Sequence, residues 1–188
     1  RYNCVWGGCA RTRVCAWLCV RALARACMRV GAHTCGRAHA RSLAGQRSCN
    51  GSASFVAALH ALKSGEIIGI FPEGTISTSF EIKGLKSGAV RLAVGAGVPL
   101  IPTIVWGGQR VYTKGVKPNF KRGKTPISVS FGEAIDYSPD ADIEAAELHL
   151  RQVMMGMLRQ VQENYPDSHV GQRWAPTRLG GTAPAPLN

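Results

Sequence analysis

Apolar residues recur with a readable period only from about residue 51 onward. Phe55, Leu59 and Leu62 stand at i, i+4 and i+7, the spacing of one helix face. Ser54 is placed to cap that face and Gly65 to stop it, so a helix is predicted over 55–64. Ile67-Ile68-Gly69-Ile70-Phe71 is short and continuously apolar, as in a strand buried on both faces. Pro72 has no N–H to donate and forces the chain out of the sheet. A second helix is predicted from about Lys86 to Val94, where Gly88, Ala89 and Ala93 allow close packing and Gly95 and Gly97 end it; Val98 to Val105 is strand-like again. Together these make a β-α-β unit, whose crossover is right-handed and whose ligands sit beyond the carboxyl ends of the strands, which places 72–79 at the ligand edge. Ile127, Val129 and Phe131 alternate with Ser128 and Ser130 as in a half-exposed strand closed by Gly132. Ser138 as N-cap with Pro139 at the first position opens a longer helix, whose buried stripe is Ile143, Leu150, Met154, Met157 and Val161. From Pro166 on there is no period, and 166–188 reads as a flexible tail.

Composition changes the picture upstream. Residues 1–50 contain nine Arg, no Lys and no acid, whereas residues 51–188 hold 14 basic and 11 acidic residues, so the two parts carry +9 and +3 of the total +12. All seven Cys lie in the first part, an odd number with no C-x-x-C spacing. Cys35 with His33 and His39 makes a weak zinc set against a reading of unpaired thiols, and no metal site is expected. The Arg, Ala, Gly and Cys excess is what a wrong frame through GC-rich DNA yields, so 1–50 is expected to be an anomalous segment that is not natively folded. The competing reading is an Arg-rich arm that neutralises nucleic-acid phosphates; with only Tyr2, Trp6 and Trp17 for stacking, nucleic acid is not the expected partner. Leu92 to Gln109 is 18 residues without a charge, but Pro99, Pro102 and four glycines disqualify it as a membrane-spanning helix.

Candidate chemistry gathers at Phe71-Pro72-Glu73-Gly74-Thr75, directly after the buried strand, and at Val98-Pro99-Leu100-Ile101-Pro102-Thr103. A phosphate needs fixed donors: Gly74 lets backbone N–H groups approach, and Thr75, Ser77 and Thr78 offer hydroxyls. Glu73 can accept from a substrate hydroxyl or hold the loop. In this order, with Lys86-Ser87-Gly88-Ala89 and Thr125-Pro126-Ile127-Ser128-Val129, the two blocks resemble the glycerolipid acyltransferases of the 1-acylglycerol-3-phosphate acyltransferase type, over about 51–164. The resemblance implies an α/β fold, a glycerol-3-phosphate acyltransferase-like domain with a mostly parallel central sheet flanked by helices, here a partial domain over 51–165 lacking its N-terminal part. It implies acyl transfer in phospholipid biosynthesis from acyl-CoA or acyl carrier protein to lysophosphatidate, with no cofactor, at the cytoplasmic face of a membrane. Phe71 to Thr75 would take the acceptor, Ser77 and Lys86 would help, and Pro99 and Pro102 would shape the site.

Two departures qualify the resemblance. The family commonly has Arg after the Thr, and this chain has Ile76, so Lys83, Lys86 or Arg91 would meet the phosphate. The family also uses H-x-x-x-x-D, with His as general base, but the residues five on from His33, His39, His60, His149 and His169 are Ala38, Ala44, Gly65, Met154 and Trp174. No catalytic residue is therefore assigned, and turnover is expected to be impaired, since such a base is worth about 10²- to 10⁴-fold. His60 reads as a surface residue. A noncatalytic lipid or acyl-carrier binding fragment is the alternative. Arg110, Lys114, Lys117, Lys121, Arg122 and Lys124 form a basic run that suits a solvated loop, anionic headgroups or the phosphates of coenzyme A.

Overall fold

A computed structural model describes residues 16–21, 40–42, 51–75, 77–113 and 125–185. Among them are strands β1 (Ala16–Arg21), β2 (Ala40–Ser42), β3 (Ile67–Ile70), β4 (Leu100–Trp106) and β5 (Ser128–Phe131), and helices α1 (Gly51–Lys63), α2 (Gly88–Ala96) and α3 (Ile143–Glu163). The strands form one sheet in the order β2-β3-β1-β4-β5. The α/β layering matches expectation, but the mostly parallel sheet is corrected in its pairing: β2 and β3 are parallel, while β1 pairs antiparallel with β3 and with β4, and β4 antiparallel with β5. The physical reason is that β1 inserts between β3 and β4, which point the same way, so the β3-α2-β4 crossover spans two positions. Both β1 and β2 come from the segment whose composition reads as foreign to the fold. The rest of that segment, including Cys35, His33 and His39, lies outside the described residues.

Local chemistry explains most boundaries. Gly65 (φ 85) stops α1, its N–H donating to the Leu62 carbonyl at 3.0 Å, and Gly97 (φ 63) caps α2 in the left-handed conformation open to glycine. Helix α1 begins at Gly51, so Ser54 lies inside it and is not its cap. The cap of α3 is also corrected. Asp142 is the N-cap, its carboxylate accepting from the Glu144 N–H at 3.0 Å, whereas Ser138 donates its hydroxyl to Asp140 at 2.7 Å. Ala146, Leu150, Met154, Leu158 and Gln162 form the buried line of α3, with Ile143, Met157 and Val161 partly buried beside it. His60 is exposed.

Helix α3 packs across β4 and β5, and α1 packs on β3 and α2. Pro102, fully buried in the middle of β4, has no N–H for the ladder. Its carbonyl accepts from Gly132 at 2.8 Å, one residue past the end of β5. The register shifts there: Thr103 pairs with Phe131, but Leu100 bridges Ile135, so one extra residue bulges opposite Pro102. Gly132 is required at this point, because a Cβ on it would lie 2.8 Å from Pro102 Cγ and 2.7 Å from Met157 Sδ.

The flexible tail expected over 166–188 is corrected for residues 166–185, which fold back onto the domain. Trp174 and His169 join Trp106 and Tyr165 in a ring cluster with centroids 5.3–6.5 Å apart. Arg110 stacks over Trp174 at 4.6 Å, donates to the Tyr165 hydroxyl at 3.0 Å and pairs with Asp167. Aromatic packing supplies the apolar burial that a composition rich in Pro and Gly conceals.

Candidate functional site

Strand β3 delivers the chain to Phe71 and Pro72, where the missing amide ends the ladder. Gly74 then adopts φ 67, its N–H donating to the Phe71 carbonyl at 3.2 Å, and this closes a tight turn. Gly74 and Thr75 are exposed at the rim, whereas Glu73 is 8% exposed, which suits a carboxylate that holds the turn. Lys86 returns to the same place from the far end of the loop. Its backbone N–H donates to the Pro72 carbonyl at 2.8 Å, and its side chain lies across Gly74, so that a Cβ there would sit 2.9 Å from Lys86 Cε and 3.1 Å from Nζ. The result is an exposed left-handed glycine with an ammonium group over it, an arrangement in which a backbone donor of the turn and a nearby cation can converge on an anion.

The other predicted residues divide. Ser77 is 3% exposed and its hydroxyl lies 3.0 Å from that of Ser79, so it turns inward, away from the rim. Pro99 precedes β4 at the opposite end of the sheet: Leu100 is level with Val20 and Ile68, which puts Pro99 roughly 13 Å from the level of Phe71 at about 3.3 Å per residue. Pro102, level with Ile70 across β1, is scaffold beneath the site. Arg91 is exposed and donates through Nε to the Ser87 hydroxyl at 3.2 Å. Arg110, the first member of the basic run, is committed to Asp167, Tyr165 and Trp174. Ile76 and Lys114, Lys117, Lys121, Arg122 and Lys124 lie outside the described residues.

Sequence reading missed two features of this loop. Phe80 is 5% exposed and adopts φ 58, a left-handed conformation costing about 1–2 kcal/mol in an L-residue. Next to it, Glu81 accepts from Arg178 Nε at 3.1 Å, and Arg178 also donates through Nη2 to the Gln162 side chain. Nothing local signals a contact between residues so distant in sequence. Burial, followed by the nearby positive charges of Arg178 and Arg110, pushes the His169 pKa below its ordinary value.

A family model described as Acyltransferase matches residues 9–106, which takes in β1 to β4. The fold is similar to that of the 1-acyl-sn-glycerophosphate (LPA) acyltransferase PlsC from Thermotoga maritima, with a TM-score of 0.51 and 24% identity over 61% of this chain. The likeness covers 46% of that structure, so this chain spans less than half of its length. Comparison with the curated proteins gives no match.

Proposed function

The chain belongs to the acyltransferase family, and on that premise we propose that its Phe71–Thr75 turn binds the phosphate of a 1-acylglycerol 3-phosphate acceptor. The observation that carries this reading is Lys86 Nζ lying over the exposed Gly74. With the Gly74 N–H closing the turn onto Phe71, the N–H of the exposed Thr75 would donate to the phosphate, and the Lys86 ammonium would supply the charge that a side chain at Ile76 does not. The donor is acyl-CoA or acyl carrier protein. The acceptor hydroxyl oxygen attacks the thioester carbonyl carbon, the C–S bond breaks and the thiol leaves with the proton, so the chemistry needs no cofactor.

Without the H-x-x-x-x-D pair, that proton has no assigned base, and acyl transfer by this chain is expected to fall by about 10²- to 10⁴-fold. This departure favours binding with little turnover as the second reading. A lipid acceptor is met at a membrane surface, and the same reading takes the protein to act peripherally at the cytoplasmic face. Ile127, just before β5, and Val129 and Phe131 on it, 50–68% exposed, give that reading an apolar surface, and among the described residues no helix is long and apolar enough to cross a bilayer. The test is calorimetric binding of 1-acylglycerol 3-phosphate to the chain and to Lys86→Gln, beside an acyl-CoA turnover assay. Binding weakened about fivefold by the substitution is expected, the size of one exposed charge contact; equal binding, or none to the unaltered chain, overturns the reading.

A further inference from the structure

We propose that Arg178, in the C-terminal turn, is a positioning residue for the Phe71–Thr75 turn, acting through Glu81 and the left-handed Phe80; the inference rests on the acceptor-phosphate reading of that turn. The chain leaves the sheet at Pro72 and returns at Lys86, and the loop is closed at its neck by the 2.8 Å bond between these two residues. One limb carries the exposed Gly74 and Thr75. The other is plugged into the core by Phe80, Ile82 and Leu85, which are 5%, 8% and 7% exposed.

Phe80 joins the two limbs at φ 58. A bulky residue holds such a conformation only where its surroundings over-determine it. Two restraints do so here. From within, the ring is buried; from without, the adjacent Glu81 is held by Arg178 Nε at 3.1 Å. Arg178 is itself anchored, because its Nη2 donates to Gln162, a side chain 1% exposed on α3 whose position is set by helix packing. The short 3-10 turn Thr177–Leu179 carries Arg178, and the N–H groups of Leu179 and Gly181 both donate to the Pro176 carbonyl, at 3.0 and 3.1 Å. The guanidinium is thus a brace between a fixed buried amide and a loop carboxylate. Removing it releases Glu81, lets Phe80 relax out of the left-handed region, and loosens the loop on which the Gly74–Lys86 geometry depends.

The test uses the full chain, with hydrogen exchange at the 77–82 amides and calorimetric binding of sn-glycerol 3-phosphate. Arg178→Ala and Glu81→Gln are compared with the charge-swapped pair Glu81→Arg with Arg178→Glu. Both single variants are expected to exchange faster in that segment and to bind about fivefold more weakly, a coupling of ordinary size. The swapped pair is expected to restore both, because the carboxylate introduced by Arg178→Glu can accept from the Gln162 amide. Unchanged exchange in the single variants, or a swapped pair no better than they are, overturns the brace. If Arg178→Ala fails to fold, Glu81→Gln carries the test, since it leaves Gln162 its partner. Absence of sn-glycerol 3-phosphate binding by the unaltered chain refutes the acceptor reading instead, and the exchange measurement still decides the brace.

Discussion

Replacing Gly74 by Ala adds one carbon at the point where the turn and Lys86 meet, and the structure separates its two consequences. The new Cβ would lie 2.9, 3.1 and 3.4 Å from Lys86 Cε, Nζ and Cδ, inside the roughly 3.5–4.0 Å at which carbon contacts settle. Those atoms are the far end of a flexible, exposed side chain, so Lys86 swings aside at little cost in stability. The backbone at φ 67 has no such escape and costs about 1–2 kcal/mol, which lowers the melting temperature of a domain this size by about 2–8 °C. Affinity for 1-acylglycerol 3-phosphate falls as well, by the one contact the displaced ammonium gave up, about fivefold. Circular-dichroism melting and calorimetric titration of Gly74→Ala, Lys86→Gln and the double variant make the check. A lysine contact is lost only once, so the double variant is expected to bind no more weakly than the weaker single variant and to melt like Gly74→Ala. Wild-type affinity in Gly74→Ala, or binding losses that add in the double variant, would refute the placement of Lys86 over the turn.

Gly132→Ala drives a Cβ to 2.8 Å from the Pro102 ring and 2.7 Å from Met157 Sδ; Met157 can move and the buried ring cannot, so a loss of about 1–3 kcal/mol is expected in urea unfolding, only partly relieved by adding Met157→Ala. Asp142→Ala removes the α3 cap and should cost about 1 kcal/mol in urea unfolding, whereas Ser138→Ala, outside the helix, should change the unfolding free energy by no more than about 0.5 kcal/mol. His169 has its pKa depressed below the ordinary 6.5 by burial and by Arg178 and Arg110. The unfolded chain therefore binds the proton more readily, and the contribution of this group to stability is full above about pH 6.5 and is lost as pH falls through the folded value. Tryptophan fluorescence melts from pH 7.5 to 5 should show that loss, and His169→Phe should abolish it.

What could be read without coordinates was what depends on neighbours in the chain. Pro72 ends β3 because it lacks an amide, Gly65 and Gly97 end their helices because they accept positive φ, and the turn at Gly74 follows from both kinds of signal. Features set by distant partners were hidden. Residues 14–20 are continuously apolar, as a buried strand would be, but nothing local in that Arg- and Cys-rich segment assigns it the place between β3 and β4. Pro99 and Pro102 looked like one block with the site, but strand direction carries Pro99 to the other end of the sheet, and Pro102 is tolerated in a central strand only because a bulge faces it. The C-terminal segment has the Pro and Gly content of a tail, and its packing depends on Trp174 and Arg178 finding partners on β4, α3 and the loop after β3. Its aromatic and arginine residues were the only clue, and no periodicity accompanies them.

The most direct measurement is a ¹H–¹⁵N titration of the labelled chain with sn-glycerol 3-phosphate, using glycerol as the uncharged control. If the turn after β3 is the phosphate site, the amides of Gly74 and Thr75 move most, saturably, with the phosphate ester alone, and lose that response in Lys86→Gln. Shifts centred elsewhere in the fold, or equal responses to glycerol and its phosphate, would contradict it.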